Sequence, residues 1–313
     1  MKYAYIFPGQ GSQAVGMLTE LGEAYPIVKQ TFAKASEILG YDLWELTQHG
    51  PEEVLNQTEK TQPALLAAGI AIWYLWQQHT EQQPMYMAGH SFGEYTALVA
   101  AKAITFEDAV SLARDRGRFM QMAVPGGEGA MAAIIGLEAE KVMEICATVA
   151  QQQVVAAVNF NTPGQTVIAG HTDAVKRATE QAKVVGAKRA KLLPVSVPAH
   201  SVLMRPAADK MAERLAKIAI STPTIPVIHN VNVKVTTEPN EIRSALTAQL
   251  YQPVRWVETI QKMVAEGATL LIESGPGKVL TGLNKRISRP TLAKSIVDVK
   301  TLQPALQALE TSG

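Results

Sequence analysis

The sequence predicts an α/β protein with a mainly parallel sheet and a smaller unit inserted into it. Short apolar runs such as Tyr3–Phe7 alternate with longer helical segments, as they do in layered folds with parallel strands. A Gly-x-Ser-x-Gly pattern at residues 89–93 lies between a strand-like and a helix-like run. Between residues 127 and 196 the order of strands and helices changes, which indicates a separate unit.

The composition is that of a globular chain long enough to bury a large core. It has 313 residues, of which 47% are hydrophobic, and its 29 basic and 28 acidic side chains nearly cancel. Neither a nucleic-acid nor a membrane partner is therefore indicated. The one cysteine, Cys146, excludes an internal disulfide and a multi-cysteine metal site. The apolar run before Pro8 is too short for a signal peptide, so we expect a cytoplasmic protein. We also expect no bound metal.

The Gly-x-Ser-x-Gly pattern is typical of a nucleophile elbow centred on Ser91. In such an elbow a strand stops and a helix begins at once, which exposes the serine hydroxyl on a strained turn. The flanks fit, because Pro84–Ala88 reads as a short buried strand and Glu94–Ala103 is rich in helix formers. A plain glycine-rich turn is the alternative. The flanks favour a nucleophile, which then requires a base.

The first strand and a later helix supply two further candidates. Tyr3–Phe7 is followed by the polar loop Pro8–Gln13, whose backbone amides are free to face an anion; the loop matches no nucleotide-binding motif. Residues 105–122 read as a helix capped by Thr105. It carries Arg116 beside Gly117, where a neighbouring element has room to approach.

The middle of the chain has the order strand, helix, strand, strand, helix, strand. The six segments are residues 130–135, 138–151, 154–159, 166–169, 172–185 and 188–193. This β-α-β-β-α-β order predicts a ferredoxin-like subdomain. Pro/Gly-bearing segments bound it on both sides, so we place it at residues 127–196, between large-domain segments 1–126 and 197–313.

The large domain then resumes with three helices and two strands. Helices are predicted at residues 201–218, 241–250 and 254–266, and strands at 227–231 and 269–272. Of the six histidines, His200 is the best candidate for the base, because it lies in the loop that re-enters this domain. His229 lies in an apolar strand and reads as a satisfied core residue, while His90 should point away from Ser91. No acidic residue is marked by its context as a third catalytic member.

Six motifs in order resemble one family over nearly the whole chain. They are residues 7–13 (FPGQGSQ), 89–95 (GHSFGEY), 116–117 (RG), 159–165 (NFNTPGQ), 197–200 (VPAH) and 273–277 (ESGPG). Together they resemble the malonyl-CoA:acyl carrier protein transacylases of bacterial fatty acid synthesis. The resemblance implies an α/β-hydrolase-like large domain that carries the inserted subdomain.

The resemblance also implies a ping-pong transfer through a malonyl ester on Ser91. His200 would act as the base, and the backbone amides of Phe92 and Gln10 would hold the oxyanion. Arg116 would bind the free carboxylate of malonate. The main-chain carbonyl at Gln249 would orient the histidine, in which case the side chain at 249 is expected to matter little.

The implied partners are malonyl-CoA as substrate, with CoA as product, and an acyl carrier protein. No permanently bound cofactor is implied, and we expect a monomer. Acyl carrier proteins resemble one another in presenting an acidic helix, so two basic clusters are docking candidates. They are Lys188, Arg189 and Lys191 in the subdomain, and Lys285 and Arg286 in the large domain.

Three other functions remain open on the sequence. The closest is a stand-alone acyltransferase that serves a polyketide synthase, whose motifs overlap almost completely. A serine hydrolase is compatible with the elbow alone, but Arg116, the Gln10 loop and the subdomain argue against it. A non-catalytic carrier-binding module is disfavoured because both Ser91 and His200 are present.

Overall fold

The architecture is that of a computed structural model, which describes residues 2–195 and 197–311. The described residues form a five-stranded and a four-stranded sheet. In chain order the strands are β1 Tyr3–Phe7, β2 Tyr86–Gly89, β3 Gly129–Ile135, β4 Val155–Thr162, β5 Gln165–His171, β6 Arg189–Leu192, β7 Val227–Ile228, β8 Leu270–Ser274 and β9 Leu292–Ile296. The predicted domain ends at residues 1, 196 and 313 lie outside the described residues.

Helices occupy most of the remaining chain. They are α1 Thr19–Ala24, α2 Pro26–Leu39, α3 Leu43–His49, α4 Glu52–Leu55, α5 Thr58–His79, α6 Gly93–Ala100, α7 Phe106–Met122, α8 Ala139–Val149, α9 Thr172–Val184, α10 Arg205–Leu215, α11 Pro239–Gln249, α12 Trp256–Ala265, α13 Val279–Ile287 and α14 Val299–Thr311. A 3₁₀ turn at Val202–Met204 precedes α10. Thr105 caps α7 as predicted, because its hydroxyl accepts a hydrogen bond from the Asp108 N–H at 3.1 Å.

The large sheet has the order β7-β2-β1-β8-β9, and every neighbouring pair is parallel. The prediction of a mainly parallel sheet is therefore confirmed. The sequence did not predict β9. It is an edge strand in which Lys294 and Ser295 are half-buried, so its pattern lacks the continuous apolar run of the buried strands.

The strand register brings two loops to one point. Phe7, the last residue of β1, pairs with Gly89, the last residue of β2. The loop after Phe7 and the turn that carries Ser91 therefore leave the same edge of the sheet side by side. This edge holds the carboxyl ends of the strands, where open α/β sheets bind ligands.

Helix α7 approaches α5 closely at Gly117. A Cβ atom at this position would lie 2.6 Å from the Cα of Glu59, so only glycine fits. Most of α5 is buried, and its Trp73 and Trp76 pack on the ring of Tyr5 with centroids 4.8 and 5.7 Å away. The contact at Gly117 holds the neighbouring residue of α7, Arg116, deep in the molecule.

The smaller sheet is antiparallel and has the order β4-β5-β3-β6. Helices α8 and α9 cover one of its faces and enclose a separate apolar core. The predicted ferredoxin-like subdomain is thereby confirmed. Strand β4 also contacts the large domain, because the Phe160 N–H donates to the Val254 carbonyl at 3.0 Å and the Val254 N–H donates to the Val158 carbonyl at 2.8 Å.

Candidate active site

Ser91 lies on a strained turn between β2 and α6. Its φ of 52° is in the left-handed region, which a residue with a side chain adopts only at a cost. The flanking glycines permit the turn. A Cβ on Gly89 would lie 1.8 Å from the carbonyl carbon of Gly93, and one on Gly93 would lie 2.2 Å from the Phe7 oxygen. The glycines of the motif are thus required by close backbone packing.

The serine hydroxyl contacts His200, and the histidine contacts a backbone carbonyl. Oγ of Ser91 lies 2.7 Å from Nε2 of His200. On the other side of the ring, Nδ1 lies 2.7 Å from the carbonyl oxygen of Gln249, at the C-terminal end of α11. Because a carbonyl can only accept, Nδ1 carries the proton and Nε2 presents its lone pair to the serine. The arrangement is that of a nucleophile and its base.

The surroundings of His200 favour the neutral imidazole. Burial, and next the positive charge of Arg116, lower its pKa to about 3, and the hydrogen bond to the Gln249 carbonyl offsets this only in part. The residue is 3% exposed. A neutral imidazole at physiological pH is the form that can take a proton from Ser91.

Two backbone amides, one on the Ser91 turn and one on the loop after β1, are free to face a ligand. Within the described residues, neither the Gln10 N–H nor the Phe92 N–H donates a hydrogen bond to another protein group. Phe92 directly precedes α6, so its amide also lies at the positive end of that helix. The two amides belong to the adjacent loops that the strand register brings together.

Arg116 is a fully buried cation that faces the same site. Its side chain is 1% exposed, and its guanidinium lies over the rings of Phe92 and Tyr95, 5.8 and 5.5 Å from their centroids. Burial lowers the pKa of the guanidinium. Nη2 donates to Oε1 of Gln249 at 2.9 Å, whereas Nε has no partner among the described residues. A buried arginine with unused donors is suited to bind a carboxylate.

The side chain of Gln249 does not have the indifferent role that was expected. In addition to the hydrogen bond from Arg116, its amide nitrogen donates to the Ser91 carbonyl at 2.9 Å and to Oε2 of Glu94 at 2.8 Å. The expectation was wrong because it considered only the main chain of this residue. All the donors of the Gln249 amide are used, so its orientation is fixed.

A polar cluster beneath the elbow was missed from the sequence. Glu94 is completely buried, and it accepts hydrogen bonds from Nδ1 of His229 at 2.7 Å and from the Asn230 N–H at 3.0 Å. The side chain of Asn230 accepts from the Ser91 N–H and donates to the Gly89 carbonyl, both at 2.7 Å. One signal was available: Glu94 is the only charged residue in the short, mostly apolar run of α6, and a buried charge requires partners.

His229 and His90 are structural neighbours of the site. His229 lies in the core, as expected, but its Nε2 has no partner among the described residues. His90 contacts the subdomain, since its Nε2 lies 2.7 Å from Oδ1 of Asn161, and its ring packs edge-on against Trp256. Burial lowers the pKa of His90.

Ser91, His200 and Arg116 open into one cavity of about 640 Å³ between the subdomain and the large domain. The subdomain side is lined by Met131, Asn159, Leu193, Pro194 and Val195. A cavity of this size holds an acyl group together with part of a longer ligand. The sequence-predicted site residues Gln10 and Phe92 line it as well.

The five basic residues predicted to dock a carrier are all exposed and stand apart from the cavity wall. In the subdomain, Arg189 and Lys191 lie on the edge strand β6. In the large domain, Nη1 of Arg286 donates to Oε1 of Gln165 at 3.1 Å, across the boundary with the subdomain. One cluster thus belongs to the subdomain, and the other lies on α13, a helix of the large domain that contacts the subdomain.

Neither a bilayer-spanning helix nor a group of three or more metal-ligating side chains occurs in residues 2–195 and 197–311. Cys146 is buried in the subdomain, and burial raises the pKa of its thiol to about 12.

A serine hydroxyl in contact with a histidine, with free amides beside it and a buried cation facing it, is an arrangement suited to acyl transfer. The family described as acyl transferase domain matches residues 4–311, and the chain belongs to this class. Within the class it belongs to the malonyl CoA-acyl carrier protein transacylases, as its relatives show. It is 56% identical to the one from Escherichia coli O157:H7 over 98% of this chain and 99% of the relative, and 47% identical to that of Bacillus subtilis (strain 168) over 99% and 98%.

Solved structures agree with this assignment. An acyl carrier protein S-malonyltransferase from Vibrio cholerae is 58% identical, covers 97% of this chain and 99% of its own, and superimposes with a TM-score of 0.95. A malonyl-transacylase in complex with its type II PKS acyl-carrier protein is 53% identical over 98% and 100% of the two chains, with a TM-score of 0.97. The predicted family and fold are confirmed.

Proposed function

We propose that the chain transfers the malonyl group from malonyl-CoA to the phosphopantetheine thiol of acyl carrier protein, for fatty acid synthesis. The single observation that carries this proposal is the cavity that Ser91 and His200 share with the buried Arg116. The pair supplies a nucleophile and base, and the arginine supplies a partner for a free carboxylate. The names of the relatives point to the same reaction.

In the first half-reaction, Oγ of Ser91 attacks the thioester carbonyl and its proton passes to Nε2 of His200. The amides of Gln10 and Phe92 stabilise the negative oxygen of the tetrahedral intermediate. The carbon–sulfur bond then breaks, and the CoA sulfur leaves with the proton held by His200. A malonyl ester remains on the serine.

In the second half-reaction, the carrier thiol enters the position that CoA has left. His200 takes the thiol proton, and the sulfur attacks the ester carbonyl. The carbon–oxygen bond breaks, Ser91 regains its proton from His200, and the malonyl thioester leaves with the carrier. The same amides serve both intermediates, because both place their negative charge at the same oxygen.

Arg116 supplies the preference for a carboxylated acyl group. Its planar guanidinium can donate two parallel hydrogen bonds to one carboxylate, and the cavity is buried enough to make those bonds strong. An acetyl group offers no partner and leaves the cation without compensation. We therefore assign Arg116 as the malonate carboxylate site.

The experiment that tests the proposal is intact-mass analysis after incubation with malonyl-CoA. The protein should gain one malonyl group and keep it until acyl carrier protein is added, when the adduct should transfer to the carrier. Rapid release of free malonate without carrier would instead identify a hydrolase.

One specific observation supports the polyketide alternative: a similar malonyl-transacylase was solved with its type II PKS acyl-carrier protein. The two alternatives differ only in the carrier. A comparison of discharge rates distinguishes the two alternatives. The malonyl enzyme is mixed with a fatty-acid carrier or with a polyketide carrier at equal concentration, and the rate at which each removes the malonyl group is measured. A preference for the polyketide carrier would replace our assignment.

Several further assignments belong to the proposal. We place the protein in the cytoplasm, since its one cysteine is buried as a free thiol. We assign a monomer, because one chain supplies every group of the site, and we assign no resident cofactor. The subdomain is placed at residues 127–196, which the antiparallel sheet within this range supports.

Acylation should not show the pH dependence of an ordinary histidine. The pKa of His200 is lowered to about 3, so its neutral, active form persists well below the usual value of 6.5. We expect the burst of CoA release to keep its rate down to roughly pH 5, where an unperturbed histidine would be mostly protonated. A tenfold fall per pH unit below 6.5 would contradict this.

The same shift affects stability in a defined direction. The folded state binds fewer protons at His200 than the unfolded state does, so this contribution is fully present above pH 6.5 and declines as the pH falls toward 3. Circular dichroism at each pH therefore accompanies the rate measurement, and only pH values at which the protein is folded are compared.

Reversing the charge of the two basic clusters should weaken carrier recognition. The five changes to glutamate, at Lys188, Arg189, Lys191, Lys285 and Arg286, should raise the KM for acyl carrier protein at low salt. The rate of malonyl-serine formation should stay unchanged, because these side chains are exposed and lie outside the cavity. Such contacts alter association rate and salt dependence more than chemistry.

A matched control is available for the subdomain cluster. Lys141, Lys176 and Lys183 lie on the helices that cover the opposite face of the sheet, where each pairs with a nearby acid. Their reversal changes the subdomain charge by the same amount as reversal of the subdomain cluster. An equal rise in KM for this control and for a variant that reverses only Lys188, Arg189 and Lys191 would show a net-charge effect. An unchanged KM in the five-residue variant would locate docking elsewhere.

A further inference from the structure

A buried chain of hydrogen bonds joins Glu94 to Arg116 through the side chain of Gln249. Oε2 of Glu94 accepts from Nε2 of Gln249 at 2.8 Å, and Oε1 of Gln249 accepts from Nη2 of Arg116 at 2.9 Å. All three residues are at most 1% exposed. We call this chain the amide relay. It is distinct from the main-chain contact by which Gln249 holds His200.

The chemistry of its two ends fixes the orientation of the central amide. A guanidinium only donates hydrogen bonds, so Gln249 must present its oxygen to Arg116. The carboxylate of Glu94 only accepts, so Gln249 must present its nitrogen there, and the Ser91 carbonyl takes the second N–H at 2.9 Å. A flipped amide would place donor against donor and acceptor against acceptor at the same time. Glu94 is in turn held by His229 and by the Asn230 N–H.

The relay leaves the charge of Arg116 available. Among the described residues, no carboxylate forms an ion pair with this arginine; Asp115 pairs with Arg214, and Glu94 contacts His229. A neutral amide therefore holds one nitrogen of the guanidinium in place without cancelling its charge. A carboxylate in direct contact would compete with the substrate for the same donors.

We propose that the Gln249 side chain, oriented by Glu94, is a positioning device that sets the selectivity of Arg116 for a carboxylated acyl group. The proposal rests on the function proposed for Arg116. It assigns no contact with substrate to Glu94 or to the Gln249 amide; both act through the arginine.

The test measures kcat/KM for malonyl-CoA and for acetyl-CoA and follows their ratio in Gln249→Met and Glu94→Gln. Methionine keeps the length of the side chain and the main-chain carbonyl behind His200, but it cannot hold the guanidinium. We expect the ratio to fall about 10- to 100-fold in Gln249→Met, as for loss of one charge-assisted hydrogen bond. Glu94→Gln removes the acceptor that fixes the amide, and its ratio should fall about tenfold.

The double variant gives the sharpest readout. If Glu94 acts on selectivity only through Gln249, the ratio in Glu94→Gln/Gln249→Met should equal that in Gln249→Met to within about twofold. Independent, multiplicative losses would overturn the relay. So would equal losses for both substrates in the single variants, because those would mean that the residues support only the elbow and the nucleophile.

A matched control is Glu273→Gln, which changes another completely buried carboxylate in the same way. Glu273 accepts hydrogen bonds from the Leu280 and Thr281 N–H groups at the start of α13, away from Arg116. It should lower the melting temperature and leave the ratio unchanged. A changed ratio in Glu273→Gln would show that any buried charge loss has this effect.

Arg116→Ala separates failure of the relay from failure of the proposed function. If it collapses the ratio while Gln249→Met, still folded by its melting transition, does not, the relay is wrong and the role of Arg116 stands. If Arg116→Ala also leaves the ratio unchanged, the carboxylate site itself lies elsewhere.

Discussion

Replacement of Ser91 by alanine is expected to abolish the malonyl adduct on the protein and all transfer to the carrier. The hydroxyl that contacts His200 at 2.7 Å is the group that would form the ester, and no neighbouring side chain duplicates that contact among the described residues. The substitution removes one oxygen from a turn held by its glycines, so the fold should persist. Intact-mass analysis after malonyl-CoA treatment measures the result directly.

His200→Ala should lower transfer by about 10²- to 10⁴-fold, the loss typical of a missing general base. It leaves the Ser91 hydroxyl in place, so a slow adduct should still form. His79→Ala, at the solvent-facing end of α5, is the control and should behave as the wild type. A stable malonyl adduct on Ser91→Ala would rule out the assigned nucleophile, and full activity in His200→Ala would rule out the base.

Arg116→Ala is expected to lose its selectivity for malonyl-CoA and to accept uncarboxylated acyl groups relatively better. Loss of one member of a buried charge pair costs on the order of 2 to 5 kcal/mol, and this loss should fall on malonyl-CoA alone. Acetyl-CoA should gain relative to malonyl-CoA, because the site then contains space and no uncompensated cation. The measurement is the ratio of kcat/KM values for the two substrates.

Two further variants test the same assignment, one as a partial rescue and one as a control. Arg116→Lys should restore only part of the ratio, since one ammonium cannot reproduce two parallel hydrogen bonds to a carboxylate. Arg118→Ala, an exposed position two residues along the same helix, should leave the ratio unchanged. An unaltered ratio in Arg116→Ala would mean that another residue selects the substrate.

Local patterns were sufficient to predict most of the architecture and to locate the candidate site residues. The elbow at Ser91, the cap at Thr105 and the strand order of the subdomain each depend on residues close together in the chain, so periodicity and turn chemistry define them. His200 was found because it lies where the chain re-enters the large domain. Its contact with Ser91 spans 109 residues, yet only one histidine had a suitable position.

The polar cluster beneath the elbow shows where such prediction ends. Glu94 and Gln249 are 155 positions apart, and Glu94 and His229 are 135 apart. Nothing in the sequence near either partner specifies the other, because the pairing depends on how α6 and α11 pack in space. The side chain of Gln249 was missed for this reason, although its backbone carbonyl was proposed by resemblance.

The backbone carbonyl behind His200 suits the leaving group of this reaction. A carboxylate in that position would bear a full negative charge and would stabilise the imidazolium, as the aspartate of a protease triad does when the leaving group is an amine. A carbonyl offers only a dipole, so His200 stays a weak base. The imidazolium that forms is correspondingly a strong acid, and it passes its proton readily to the departing sulfur, whose thiol has a pKa of about 8.5. The carbonyl also has no proton to gain, so the histidine titrates without a coupled neighbour behind it. The group that contacts Nδ1 of His200 thus belongs to the main chain, where no side-chain substitution can remove it.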